Sequence, residues 1–394
     1  MSIDLQKARA DTPGTSHVAH LNNAGAALMP APVLSAVKEH LDLEAEIGGY
    51  EAADARREVR EHTYDAIARL VGAAREEIAI VENATRAWDM AFYSFDFRAG
   101  DRILTARAEY ASNYLAYLQV VQRTGAVVEA VPDDESGQLS VEALAEMLDE
   151  RVKLVAVTHV PTNGGLVNPI EAIGRLTRAA GIPYLVDACQ SAGQLPLDVD
   201  AIGCDLLAAT GRKFLRAPRG TGFLYARRSI VERLHPPFVD LRAATWETVD
   251  TYRLRDDARR FETWETNHAT KIALGVAADY ALGWGLEEIR DANTALADRL
   301  RDALHELEGA TVLDLGVRPC AIVSFALAGQ EPEDVAATLR RRGVNISVSD
   351  VVDTRLDMES RGWDQWLRAS VHYYNSPDEV DRLVEELRRI VLAD

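Results

Sequence analysis

The chain has 394 residues, is 47 % hydrophobic and 27 % charged, and carries a formal net charge of −19. That length supports two or three domains with a sizeable buried core. An acidic chain without a basic run excludes nucleic acid and anionic membrane surfaces as natural partners.

The first residues, "MSIDLQKARADTPG", hold no apolar stretch of signal-peptide length, and no run of about 18 apolar residues occurs anywhere. Residues 1–20 read as an arm lying across the C-terminal part of the chain or across a partner. The three cysteines, Cys189, Cys204 and Cys320, form no C-x-x-C pair and are odd in number, which fits a reducing, cytoplasmic setting. No Cys/His cluster has metal-ligand spacing, so no metal is expected.

From residue 78 short apolar runs alternate with helical patterns. "EIAIV" leads into "NATRAWDMAFYSF", and "RILTAR" into "YASNYLAYLQVVQRTG". "AVVEAV" precedes "SVEALAEMLDE", "VKLVAVTHV" precedes "PIEAIGRLTRAAG", and "YLVDA", "DLLAAT" and "GFLYAR" follow. Continuous Val/Ile/Leu runs joined by helices predict an α/β fold whose mostly parallel sheet is covered by helices on both faces. Glycines after "QRT" and "RAA" are placed as helix stops. Residues 21–267 thus read as one large domain. Residues 268–394 read as a smaller α+β domain. It opens with a long helix broken near Gly283 and Gly285, then mixes the strands "AIVSFAL", "GVNISVS" and "WLRASVHYY" with two further helices.

Ligands of open parallel sheets gather at the carboxyl ends of the strands, so the polar residues there carry the functional reading. Asn83, Ala84, Thr85 and Arg86 follow a strand and open a helix, an arrangement that seats an anion and equally serves as an ordinary N-cap. Tyr110 follows another strand and offers a ring face, or plain packing. Asp187 ends an apolar strand, where a bare carboxylate is costly unless paired, and Gln190 lies one turn on. Thr210, Gly211, Arg212 and Lys213 follow "DLLAA". The chain has only five lysines among 43 basic residues. Lysine, unlike arginine, can give up its proton and act as a nucleophile. The plain alternative for Lys213 is a solvated surface lysine, the reading that Lys7, Lys38, Lys153 and Lys271 fit. Arg368 sits in a strand of the second domain, suited to grip a carboxylate or to make a salt bridge. An anion seat, a ring stack, an acid for a pyridine nitrogen, an amine and a carboxylate clamp together answer the needs of pyridoxal 5'-phosphate.

The ordered set "NAT", "EY", "THVPTNGG", "DACQ", "TGRK" and "RAS-x-HYYN-x-x-DEVD" resembles the class V aminotransferase group of fold-type I pyridoxal-phosphate enzymes, which includes cysteine desulfurases and isopenicillin N epimerase. The resemblance covers nearly the whole chain. It implies a seven-stranded large-domain sheet. It implies that Lys213 holds the cofactor covalently and moves the Cα proton, and that Asp187 faces the ring nitrogen. Gln190, with Thr162 or Asn163, would contact the ring hydroxyl. Tyr110 would stack on the ring, where many desulfurases have histidine. Ala84, Thr85, Thr210 and Arg212 would hold the phosphate; in relatives Arg212 is often histidine. Arg368 would bind the substrate carboxylate, with Asn23, Tyr50 and His372 also lining the substrate pocket. "RRFETWETN" is similar to the segment that reaches into a neighbouring subunit, implying a homodimer with Thr266 completing the phosphate site.

Desulfurases of this group need a reactive cysteine on a loop before the arginine strand, and residues 345–367 contain none. The stretch "LEAEIGGYEAADA" is similar to hercynylcysteine sulfoxide lyases. The expected activity is therefore a C–S β-lyase acting on a cysteine-derived conjugate or sulfoxide, with aminotransferase next and epimerase or decarboxylating deaminase after it. The absence of a G-x-G-x-x-G after a strand argues against a nucleotide-dependent dehydrogenase.

Overall fold

The computed structural model describes residues 3–392. Seven strands form the central sheet: β1 (Ile78–Val81), β2 (Arg102–Ala106), β3 (Val127–Val131), β4 (Val152–Thr158), β5 (Tyr184–Asp187), β6 (Leu206–Thr210) and β7 (Gly222–Ala226). Their order is β1-β7-β6-β5-β4-β2-β3. Only β7 runs against its neighbours, pairing antiparallel with both β1 and β6; the other pairs are parallel. All seven match the apolar runs. β1, β5, β6 and β7 are buried at every residue, which is why they read as continuous rather than alternating hydrophobics. Gly125 and Gly181 end their helices with φ of 77° and 67°, a region that L side chains avoid.

Helices cover both faces. One layer joins Tyr64, Ile67, Leu70, Ile173, Leu274 and Ala278 to the sheet. The other joins Trp88, Phe92, Tyr117 and Phe261 to it. The long C-terminal helix is interrupted where expected, into His268–Trp284 and Leu286–His305, at Gly285 with φ 89°.

The C-terminal part carries a four-stranded antiparallel sheet: β8 (Ala310–Val312), β9 (Ile322–Leu327), β10 (Ser347–Asp350) and β11 (Gln365–Ser370), in the order β8-β9-β11-β10. Two details differ from expectation. "GVNISVS" splits, because Val344–Asn345 leaves the sheet to pair in parallel with Ala19–His20. The strand "WLRASVHYY" stops at Ser370. There the chain turns, with the His372 N–H donating to Asn375 Oδ1 at 2.8 Å and the Asn375 N–H to the His372 carbonyl at 2.7 Å. The N-terminal arm meets both sheets' surroundings. Arg9 donates to the Tyr374 carbonyl and to Glu379 Oε1, while Thr12 receives Arg216 Nη2 at 2.5 Å.

Candidate active site

Lys213, Asp187, Gln190, Thr210 and Arg212 all lie at or just beyond the carboxyl ends of β5 and β6. The loop carrying Lys213 is fixed from beneath. Arg216 adopts φ 62°, the one positive φ outside glycine among the described residues. Such a conformation costs roughly 1–2 kcal/mol, and the surroundings hold it. The guanidinium donates to the Leu28 carbonyl at 2.9 Å, the Tyr373 hydroxyl at 2.7 Å and the Thr12 hydroxyl. The Arg216 backbone N–H donates to the Lys213 carbonyl at 2.9 Å.

Lys213 is buried, and among the described residues no carboxylate lies within ion-pair distance of its amine. Burial pulls the ammonium down to about 8; Arg212 and Arg368 act in the same sense, while Cys189 and Asp187 oppose it. A lysine of this kind is partly neutral near physiological pH and can act as nucleophile and base.

Asp187 is also buried. Oδ1 accepts the Cys189 N–H at 2.8 Å and Oδ2 accepts Asn113 Nδ2 at 2.8 Å. Gln190 donates through Nε2 to the Ala24 carbonyl and to Thr162 Oγ1, each at 3.2 Å, and its buried Oε1 has no partner.

Arg368 on β11 donates from Nη1 to the Thr162 carbonyl at 2.5 Å and to Thr162 Oγ1 at 3.1 Å, and from Nη2 to Asn22 Oδ1 at 3.4 Å. Its Nε is buried without a partner. Among the described residues it has no ion pair, so it is not the structural salt bridge that the sequence also allowed. Burial brings it down to about 10. A buried, uncompensated guanidinium is a receptor for a carboxylate.

At the sheet's antiparallel edge, the helix Ala84–Phe92 presents the N–H groups of its first turn, with Asn83 capping Arg86 at 2.8 Å. A Cβ on Gly222 would lie 2.6 Å from the Asn83 carbonyl carbon, so only glycine lets β7 approach this helix start. Thr85 is exposed, Tyr110 half-buried, and Thr266 half-buried just before the helix His268–Trp284. Arg212 donates to the Gly25 carbonyl and is lowered by burial, then by Arg219.

Several residues expected in the pocket have their polar groups directed elsewhere. Asn23 is fully engaged, donating to the Ser370 carbonyl at 2.7 Å and accepting the Tyr374 hydroxyl; its neighbour Asn22 reaches Arg368 instead. His372 is buried, with Nε2 2.8 Å from the Phe214 carbonyl and Nδ1 3.3 Å from Asn293 Oδ1; both neighbours are acceptors, and a neutral ring donates to one of them. Asn163 turns to Asp357 at 2.7 Å and leaves Thr162 alone in the cluster. Tyr50 is 80 % exposed on the short helix Gly49–Ala55 and makes no hydrogen bond to the cluster. Lys271 is not solvated: it is buried and bonded to the Tyr64 hydroxyl at 2.6 Å.

Sequence reasoning missed Glu109, which lies directly behind Asp187 and shares Asn113 with it. An acid one residue before the singled-out Tyr110, straight after a buried strand, was the available signal.

The residues fit pyridoxal 5'-phosphate. A buried amine without a counter-ion, a strand-end carboxylate, the open acceptor of Gln190 and the unpaired Arg368 are four groups that a phosphate-bearing pyridine aldehyde and an amino acid would satisfy.

The comparisons with known proteins agree. The family model described as aminotransferase class-V matches residues 19–383. A probable cysteine desulfurase of Synechocystis is 31 % identical over 386 residues, covering 94 % of this chain and 90 % of that protein. A cysteine desulfurase of Cronobacter sakazakii is 31 % identical over 414 residues, covering 99 % of each. Among solved structures, the apo cysteine desulfurase of Thermococcus onnurineus superimposes with a TM-score of 0.93 at 27 % identity, over 100 % of this chain and 99 % of that one. The cystine C–S lyase C-DES shares the fold, with a TM-score of 0.86 at 22 % identity over 96 % and 99 % of the two chains. The chain belongs to the class V aminotransferase family and is a pyridoxal 5'-phosphate-dependent enzyme.

Proposed function

We propose that the chain is a C–S β-lyase acting on a cysteine-derived conjugate or sulfoxide. The observation that carries this reading is the state of its thiols. Cys204 and Cys320 are buried, and burial pushes Cys320 up to about 12 and Cys204 higher still. Cys189 is half-buried beside Asp187, and its thiol is raised well above the ordinary range, first by burial and then by that carboxylate. Sulfur acceptance requires a thiolate, and residues 345–367 supply no cysteine. Sulfur therefore leaves with the product rather than passing to the protein.

When bound, the cofactor supplies an electron sink for charge developing at Cα. Lys213 would hold it and then take the Cα proton on its amine. Asp187 would keep the ring nitrogen's proton in place. Gln190 and Thr162 would meet the ring hydroxyl, Tyr110 would cover a ring face, and Ala84, Thr85, Thr210 and Arg212 would hold the phosphate. Arg368 would orient the substrate by its carboxylate. As the Cα proton leaves, the C–S bond breaks with its electron pair on sulfur, giving a thiol, or a sulfenic acid from a sulfoxide. Water then converts the three-carbon remainder to pyruvate and ammonia.

The reading includes a cytoplasmic homodimer in which Thr266 of each chain completes the other's phosphate site. It also divides the chain into an arm, a cofactor domain over 21–267 and a small domain over 268–394. Among the described residues no helix is long and apolar enough to cross a membrane. The test is incubation of the cofactor-loaded protein with S-substituted cysteines and their sulfoxides. Stoichiometric pyruvate and released sulfur product are expected. Amino transfer to a keto acid without pyruvate, or a persulfide trapped on any of the three cysteines, overturns the lyase.

A further inference from the structure

Glu109 is the one acid of the cluster that this chemistry leaves unused. It is 3 % exposed, between β2 and the helix Ala111–Thr124. Donors converge on it from every neighbouring element. Oε2 accepts the Thr105 hydroxyl at 2.7 Å and the Tyr117 hydroxyl at 3.5 Å. Oε1 accepts the Tyr110 N–H at 2.7 Å, Asn113 Nδ2 at 3.0 Å and the Thr158 hydroxyl. Among the described residues no cation is paired with it. Of the charged groups Asp187 bears on it, and the titratable Tyr117 hydroxyl faces it.

Asn113 links the two acids. Its Nδ2 stands 3.0 Å from Glu109 Oε1 and 2.8 Å from Asp187 Oδ2. A primary amide has two N–H bonds, so one serves each carboxylate. A carboxylate set among neutral donors is expensive to bury, and a glutamine would bridge Thr105, Thr158 and Asn113 without that cost. Packing alone therefore does not account for a carboxylate at this position.

We propose that Glu109 is a positioning residue for Asp187, acting through the two amide hydrogens of Asn113 and through its own negative charge. Resting on the reading that Asp187 faces the ring nitrogen, the ionised pair favours a proton on that nitrogen more than Asp187 alone would. Protonating Glu109 turns one of its oxygens into a donor, which the Thr105 or Thr158 hydroxyl can accept, and removes that second charge. Burial pushes Glu109 up to about 7, against the pull of its Thr158, Thr105 and Asn113 hydrogen bonds and with help from Asp187. The switch thus falls in the neutral range.

The experiment loads the wild type, E109Q and N113A with pyridoxal 5'-phosphate and follows the visible absorption of the bound cofactor against pH, alongside kcat and KM. The wild type is expected to show a spectral step near pH 7 that E109Q lacks and N113A diminishes. In both variants kcat falls on the order of tenfold while KM holds. Failure of the wild type to take up the cofactor sinks the reading of the site and this inference with it. Uptake with one and the same profile in wild type and E109Q overturns this inference alone. Should E109Q not fold, N113A, which keeps the other Glu109 donors, decides by the same criterion.

Discussion

Lys213 and Lys271 are both buried, and burial brings both to about 8. They differ in what surrounds the amine. Lys271 donates to the Tyr64 hydroxyl at 2.6 Å and lies 3.7 Å from Glu262. Glu262 is in turn held by Arg242 Nε at 2.8 Å and by the Ile80 N–H at 2.9 Å, and the Tyr64 hydroxyl donates to it at 2.7 Å. That closed network ties the segment around Arg242 and Glu262 to β1 and to the helix Arg57–Val71. Among the described residues Lys213 has no carboxylate within ion-pair distance. A perturbed amine alone therefore does not mark a reactive site; a perturbed amine left uncompensated does. The buried arginines repeat the contrast: Arg301 meets Asp314 at 2.8 Å, whereas among the described residues Arg368 donates to neutral oxygens.

The largest test exchanges the two lysines' fates. K213A is expected to lose borohydride-fixed cofactor and to slow turnover by about 10³-fold or more. K271M should bind cofactor normally and lose about 2 kcal/mol of stability in denaturant unfolding. Loss of the fixed adduct in K271M, or its survival in K213A, breaks the comparison. Next, R368K should raise KM for amino acids by about 10²-fold through loss of bidentate geometry. R301K should leave KM unchanged and lower the melting temperature.

A smaller effect lies in pH. Lys213 has its pKa lowered from 10.5 to about 8 in the folded chain. Well below pH 8 both folded and unfolded states carry the proton, so the burial penalty is present nearly in full. Between about 8 and 10.5 only the folded state has lost the proton, and the penalty is relieved. Apo K213M should therefore be more stable than the apo wild type at pH 7, by on the order of 3 kcal/mol, and that advantage should shrink towards pH 10. An advantage that grows with pH would reverse the sign assigned here. The smallest expected effect is at Cys189: its protonated thiol should be alkylated slowly, and more slowly still with cofactor bound, as peptide mass spectrometry would register.

The sheet and the two central residues were legible because buried parallel strands are written as unbroken apolar runs, and Asp187 and Lys213 stand directly at their ends. What escaped is contact between elements. Periodicity places Lys271 on a helix without saying which way it faces. Yet "HATKIALGVAADYALGW" is apolar nearly all round, and a lysine in such a helix has nowhere dry to hide except among partners. Glu109 and Asp187 are separated by 78 residues, so no local pattern announces their shared asparagine. The resemblance put His372 among the pocket residues, and His372 and Tyr374 of "HYYN" bond within the fold. Their bonds to Phe214, Asn293 and Asn23 close inward instead.

The pairing of Ala19–His20 with Val344–Asn345, and of Arg9 with Glu379, has a consequence for how the molecule is made. A segment made early has its seat on one made much later. It must wait until the later segment emerges, so the region around Asn22 and Arg368 closes late in synthesis. A nascent chain halted before the final helix should already hold a folded central sheet while the substrate clamp remains unassembled.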